Sequence, residues 1–351
     1  MKKQPIGNGF FIWRLDRIDM SRAIAALKRA DAHWVCVKLA AGTRRYPPRM
    51  TDRAIRTRIE AFRAAGISVG GWQFLYTRNR AKPGLQAARI GERFQKFDID
   101  FIFVDVEHVT SVGALWKTHP MRRADAETYC SQLRAAGIPR TRMVGLCSYR
   151  FPHAHREVPY SAFLRSPSIN AVAPQVYWQG AHNPAEQLRN SLAQYDDWAR
   201  KFSEYVPIGA TYGEHGWRPT AAEIVEFRET AEALKREGYN INAVGWWELG
   251  YILSHPKCNA WLDAIAGNLT PPPPQTETPT ACRVKSRGML RIRTGATTSA
   301  KIIGGLYPGA VVPVRAQHMD GLGRTWYDIT AGWVAGWLTN PIYGGNGQKT
   351  A

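Results

Sequence analysis

The sequence has no apolar run of the ~18–20 residues that a bilayer-spanning helix needs, and no two of its five cysteines stand in CxxC spacing. Five is an odd number for a disulfide framework, and without ligand spacing a structural zinc site is not expected. Cys36 and Cys147 lie inside apolar runs, where free cysteine behaves as a small buried hydrophobe. Cys130, Cys258 and Cys282 complete the set, and all five are expected to be reduced. No glycine-rich phosphate loop follows the first strand-like run, which argues against a doubly wound dinucleotide-binding sheet. At the strand ends that would form a barrel mouth, no DxD motif or histidine cluster asks for a divalent metal, so neither metal nor cofactor is expected. The start, MKKQPIGNGFFIWRLDRIDM, reaches Arg14 before any apolar stretch is long enough for a secretory signal. The chain is therefore expected to be made in the cytoplasm and to reach any outside substrate by lysis or inside a particle.

What is present suits one large domain and one small one. The 351 residues are 44% hydrophobic and 11% aromatic, enough to bury a sizeable core. The net charge of +19 is unevenly spread: residues 1–60 carry 14 basic and 5 acidic side chains, and residues 282–351 carry 9 and 2. Such basic ends favour a polyanionic partner. An anionic bacterial wall fits, and so does nucleic acid, but no recognised nucleic-acid module appears; nucleic acid is not the expected partner. A solvated basic surface is the plain alternative.

Residues 268–281, NLTPPPPQTETPTA, read as a semi-rigid proline spacer. Before it, eight strand-like runs alternate with helical patterns: 9–15, 33–40, 68–75, 101–107, 143–149, 171–178, 205–212 and 243–249. Several helical patterns stop at glycine (Gly66, Gly137, Gly238), the residue that most easily caps a helix C-terminus. Eight such units predict a (β/α)8 TIM-like barrel over residues 1–267, in the α/β class. After the spacer, short period-two runs with tight turns predict a small all-β barrel over 282–342, followed by a tail, 343–351.

The fourth run, FIFVDVE, delivers two carboxylates at its end. Alternate side chains of a barrel strand face the interior. Phe101, Phe103, Asp105 and Glu107 would share that face, with Ile102, Val104 and Val106 against the helices. The acidic pair then lies at the C-terminal rim, where barrel enzymes build active sites. Residues i and i+2 of a strand are roughly 6.5–7 Å apart along the backbone, so both carboxyls reach one glycosidic bond. Unlike environments let two such groups divide their roles. The plain alternative is an ion pair with Lys38 or Arg150. Other strand ends supply Glu248 and Trp246 on the eighth, Gln175, Tyr177 and Trp178 on the sixth, Lys38 on the second, Gln73 on the third and Tyr149 on the fifth. Glu214 follows the seventh in EHGW. Aromatic faces beside carboxylates and amides suit sugar rings, so these are the candidate substrate-binding residues, with Glu107, Asp105 and Glu248 as candidate catalytic ones.

The blocks VCVKLAAGT, AFRAAGISVGGWQFLY, FIFVDVE and PQVYW resemble the strand ends of glycoside hydrolase family 25 lysozymes, which are cell-wall muramidases. CSYRFP, PQVYWQGAHNPAEQL and EHGW resemble still more closely the glycoside-hydrolase-like barrels of phages and bacteria. The resemblance, over roughly residues 9–250, implies that Glu107 is the proton donor. It implies that Asp105 orients the substrate's N-acetyl group or stabilises positive charge near the anomeric carbon. Two blocks depart from the pattern. The first strand lacks the family's Asp–x–Ser and reads IWRLDRI, with Trp13, Arg14 and Asp16; the sixth carries Tyr177–Trp178 where the family has a carboxylate. Glu248 or Glu214 are the candidate replacements.

The segment from LRIRTGATTSAKIIGGLYPGAVVPV to TWYDITAGWVAGWL resembles bacterial SH3-like domains, which commonly bind wall peptides, with Trp326, Trp333 and Trp337 as candidate wall contacts. Together these readings predict a peptidoglycan-targeting glycoside hydrolase of endolysin or virion-associated type. A spacer joining catalytic and anchoring modules raises local substrate concentration without new contacts. The alternative is a non-catalytic carbohydrate- or wall-binding component of a phage tail or injection device, partnered by its structural proteins.

Overall fold

A computed structural model of the protein describes residues 4–76, 82–107, 121–199, 204–269, 279–286, 288–298, 300–319 and 325–342. The chain divides into two compact units, with the change near residue 270. Residues 270–278 of the expected proline spacer and the expected tail, 343–351, lie outside the described residues.

In the first unit eight parallel strands close on themselves. They are β1 (Gly7–Ile12), β2 (Ala32–Ala41), β3 (Ser68–Leu75), β4 (Ile102–Val106), β5 (Val144–Tyr149), β6 (Ala171–Gln175), β7 (Ile208–Ala210) and β8 (Ala243–Trp247). Each pairs with its neighbour in sequence, and β8 returns to β1 to complete a TIM-like barrel. The seventh run is not one strand, as its sequence suggests. Pro207 has no N–H for the ladder, and the run splits into Glu204–Tyr205 and Ile208–Ala210. Val206 N still donates to Val172 O, and Val176 N to Ile208 O, so the seam with β6 holds.

The intervening helices start and stop where local chemistry dictates. Thr51 accepts from Ala54 N ahead of α1 (Asp52–Ala64), and Thr220 with Glu223 forms a capping box at α2 (Ala221–Arg236). The expected stops at Gly66, Gly137 and Gly238 take φ of 82°, 85° and 97°, which glycine adopts without a Cβ penalty.

Strand parity sorts the side chains into two cores. Val35, Val37, Ile102, Val104, Val106 and Val172 face outward against the helices. Phe11, Trp34, Cys36, Trp72, Phe101, Phe103 and Ala173 fill the interior. The N-terminal layers of that interior are aromatic, and glycine makes room for them. A Cβ on Gly9 would fall 1.9 Å from the Trp34 ring, and one on Gly70 2.0 Å from Phe101. Large residues facing glycine across the interior is how a closed barrel fills its axis.

The second unit has two small antiparallel sheets. In one, β9 (Ala281–Val284) lies between β12 (Val311–Pro313) and β16 (Thr339–Ile342). The other runs β11 (Ile302–Leu306), β10 (Leu290–Arg293), β15 (Gly332–Ala335), β14 (Thr325–Ile329) and β13 (Ala316–Met319). Their shared core holds Cys282, Val284, Leu290, Ile292, Trp326, Ile329 and Val334. Trp326 is 1% exposed and meets Trp337 edge-on at 5.0 Å. This corrects its assignment as a wall contact, since a core tryptophan has no face to offer. Trp333 and Trp337 are half-buried.

Candidate active site

Where the aromatic layers end, the C-terminal mouth of the barrel opens into a cavity of about 870 Å³. On β4, the parity that buries Phe101 and Phe103 brings Asp105 to the cavity floor, 6% exposed, with Glu107 half-buried above it. The two carboxyls hydrogen-bond to each other. Gln175, at the end of β6, bridges them: its Nε2 donates to Asp105 Oδ1 at 3.1 Å and to Glu107 Oε1 at 2.6 Å. Burial first, and the Glu107 charge second, push the Asp105 carboxyl well above the usual carboxylate range, against the pull of Lys38. Asp105 thus lies one hydrogen bond from Glu107, the less buried member of the pair, and both line the open cavity.

Lys38, on β2, is 8% exposed, and its ammonium lies over Trp72 at 4.3 Å, Tyr46 at 5.0 Å, Phe74 at 5.4 Å and Trp13 at 5.8 Å. Burial lowers its pKa to about 8, opposed by the charges of Asp105 and Glu107. The expected alternative, an ion pair between the acids and Lys38 or Arg150, is not what holds them among the described residues: Gln175 does.

Glu248 enters from β8, on the opposite side of the barrel from β4. Its Oε2 accepts the Trp13 N–H at 3.2 Å, and burial raises its carboxyl. The Trp247–Glu248 peptide is cis, and both residues line the cavity. Trp247 lies 5.5 Å from Trp72 and 6.4 Å from Trp13, which is 47% exposed. On the far wall Tyr149 stacks on His155 at 3.6 Å, Tyr177 meets Tyr212 at 5.4 Å, and Arg150 lies over Phe151. Glu214 joins the rim from a tight turn in which Glu214 and Trp217 exchange backbone hydrogen bonds across His215 (φ 50°) and Gly216 (φ 79°).

The cavity therefore gathers Lys38, Asp105, Glu107, Tyr149, Gln175, Tyr177, Glu214 and Glu248 from the sequence reading. Three residues it does not gather. Gln73 points out of the barrel, donating to Gly42 O and Gln86 O and accepting from Tyr129 Oη. Trp178 is buried against Phe227 and Trp217, and Trp246 against Phe227 with its Nε1 on Asn8. Each sits on outward parity, where its neighbour, Trp72, Tyr177 or Trp247, faces in. Trp13, Trp72, Phe74, Tyr212, Trp247 and Tyr251 line the cavity without having been singled out as site residues. Parity counted from Gly70 would have found Trp72 and Phe74. Asp16, the acid nearest the missing first-strand carboxylate, is tied to Arg14 at 2.7 Å and 3.0 Å and is not in the cavity wall.

No curated protein matches the chain in sequence. Residues 288–340 match the bacterial SH3 domain family. Among solved structures, a GH18 chitinase from Pseudoalteromonas aurantia superposes with a TM-score of 0.53 at 11% identity, over 75% of this chain and 100% of that one. The xylanase–α-amylase inhibitor protein XAIP-I, solved with trehalose, gives 0.50 at 13% identity, over 75% and 99%. The modular autolysin LytC of Streptococcus pneumoniae, at 16% identity and a TM-score of 0.38, aligns with 47% of this chain; the aligned part spans only 37% of LytC. The chain is an eight-stranded parallel barrel of the fold found in glycoside hydrolases, followed by a small antiparallel domain that matches the bacterial SH3 domain.

Proposed function

We propose that the chain is a glycoside hydrolase acting on the glycan of bacterial peptidoglycan, with its SH3-type domain as the wall anchor. The observation that carries this reading is the Asp105–Glu107 pair, bridged by Gln175 on the floor of a cavity walled by Trp72, Tyr177 and Trp247. Glu107 delivers a proton to the leaving oxygen, the step for which a positioned carboxyl is worth about 10²–10⁴-fold. Asp105, beneath it, faces the positive charge that develops at the anomeric carbon; water then adds to that carbon and returns a proton to the Glu107 carboxylate. The indole and phenol rings take the apolar faces of the sugars, and Glu248 holds the opposite wall. The site of action is the wall, reached on lysis or in a particle.

One observation favours a binding protein instead. Trp13 occupies the end of β1 where the resembling lysozymes carry an acid, and its N–H engages Glu248. The fold alone decides neither reading, since it is found in a protein named as an inhibitor as well as in a chitinase. That alternative is a non-catalytic glycan-binding component of a phage tail or injection device. Incubating the full chain with purified peptidoglycan, both intact and stripped of peptide, separates the two. New reducing ends in the soluble products support the hydrolase. Binding to every wall without release of reducing sugar establishes the binding protein.

A further inference from the structure

Lys38 is the least explained residue of the cavity. Its ammonium carries three donors, and among the described residues none is spent on a hydrogen bond or an ion pair. Four ring faces hold it, which steadies the charge but accepts no conventional hydrogen bond. The nearby carboxyls steady its charge at a distance, but among the described residues neither makes a hydrogen bond or ion pair with it; both instead receive the Gln175 amide. A lysine over nine-tenths buried without an acceptor is costly, and it lies in the wall of an open cavity rather than in a sealed core. At neutral pH it keeps its charge, because its pKa of about 8 lies above that pH. The missing acceptor is then expected from what enters the cavity. A low-dielectric cation favours an anion over a hydroxyl, and β2 stands two strand spacings, about 10 Å, from β4. That is the reach of one sugar ring with a substituent.

We infer that Lys38 determines the specificity of the cleft: its ammonium receives a carboxylate borne by the sugar itself, beside the bond that Asp105 and Glu107 address. This rests on the glycan-cleaving reading and names its substrate class as a glycan with free sugar carboxylates. Two chemistries supply one: the lactyl acid of a muramic unit without its peptide, and a hexuronic acid. In peptidoglycan the lactyl carboxyl is normally tied up as an amide to the peptide. On a wall, the chain would therefore follow a reaction that hydrolyses that amide and would consume its product.

Binding of the full chain to four probes tests this: a peptide-free glycan strand, the same strand with its lactyl carboxyls converted to methylamides, a hyaluronan oligosaccharide, and a neutral chitin oligosaccharide. The expected result is that wild type binds the free-acid strand about tenfold more tightly than its methylamide, the scale of one charge-assisted hydrogen bond. Lys38→Met should bring that ratio close to one, and Lys38→Arg should retain part of it. A gain on hyaluronan over chitin, with none on the lactyl strand, would assign the carboxylate to a uronate instead. Equal binding of acid and methylamide together with equal binding of hyaluronan and chitin overturns the inference while leaving the hydrolase reading intact. So does a preference that survives in Lys38→Met. Failure to bind any of the four removes the inference and the glycan reading with it. Because the acid-to-amide comparison is made on wild type, it stands even if Lys38→Met does not fold.

Discussion

At the N-terminal end of the barrel interior, Trp34 packs edge-on against Phe101 at 5.6 Å, and its Nε1 donates to Gly7 O. At the C-terminal end of the same strand, four ring faces surround the Lys38 ammonium, and two strands away Asp105 holds a raised carboxyl under an open cavity. One end is apolar, filled and matched to glycine across the axis; the other keeps buried charge that folding does not need. The same period-two pattern builds both, so the difference lies in which residue types occupy the inward positions. Packing is stabilising at the first end, and the buried polar groups at the second cost stability, a pattern common at functional sites.

The sharpest way to break that comparison is to empty the packed end. Trp34→Ala should cost about 3–5 kcal/mol of stability, read from denaturant unfolding, and any protein that remains folded should show no selective loss at the acid pair. An effect under about 1 kcal/mol would mean that the interior does not rest on this layer.

At the mouth the loss should fall on turnover instead. Asp105→Asn should lower it by about 10²-fold, and adding Glu107→Gln should cost much less than the product of the two single losses, because the two groups act as one hydrogen-bonded unit. Independent, multiplicative losses would contradict the shared hydrogen bond.

Lys38 gives a smaller effect with the opposite sign. Its pKa falls from 10.5 to about 8 on folding. Lys38 therefore binds more proton in the unfolded chain between pH 8 and pH 10.5, and its own contribution to stability rises with pH through that window. The buried cysteine thiols, whose pKa values burial raises, pull the other way. Below it the penalty is fully present, so Lys38→Met should stabilise the protein at neutral pH by about 1–3 kcal/mol. The gain should shrink above pH 8, as thermal melts across pH would show. A destabilised Lys38→Met would mean that the aromatic box is structural.

The smallest effect extends the comparison to the second unit. Trp333 is half-buried and Trp326 is core. Trp333→Ala should weaken sedimentation with cell walls by about three- to tenfold, the scale of one aromatic contact, without a large change in melting. Trp326→Ala should instead unfold the unit. The reverse outcome would exchange the roles of the two tryptophans.

The barrel was legible because eight apolar runs, spaced by amphipathic segments with glycine stops, leave few other ways to bury so much apolar surface. Asp105 and Glu107 were legible for the same reason, since FIFVDVE alternates cleanly. Gln73, Trp178 and Trp246 were misplaced by weighing nearness to a strand end above parity. Each is one residue off the inward register, and a polar or aromatic side chain just outside a barrel finds partners among the helices, as Gln73 does with Tyr129. The Gln175 bridge and the aromatic box around Lys38 were beyond the sequence. They join strands far apart in the chain, and nothing local in VCVKLAAGT or PQVYW records which rings will meet.

The central claim, that the acid pair cleaves glycan, is tested most directly by the reducing ends released from peptide-stripped peptidoglycan by wild type and by Glu107→Gln. Wild type should release them, and Glu107→Gln should do so at a rate lower by about 10²-fold or more, in a protein with an unchanged melting transition. Equal release by the two proteins would contradict the claim.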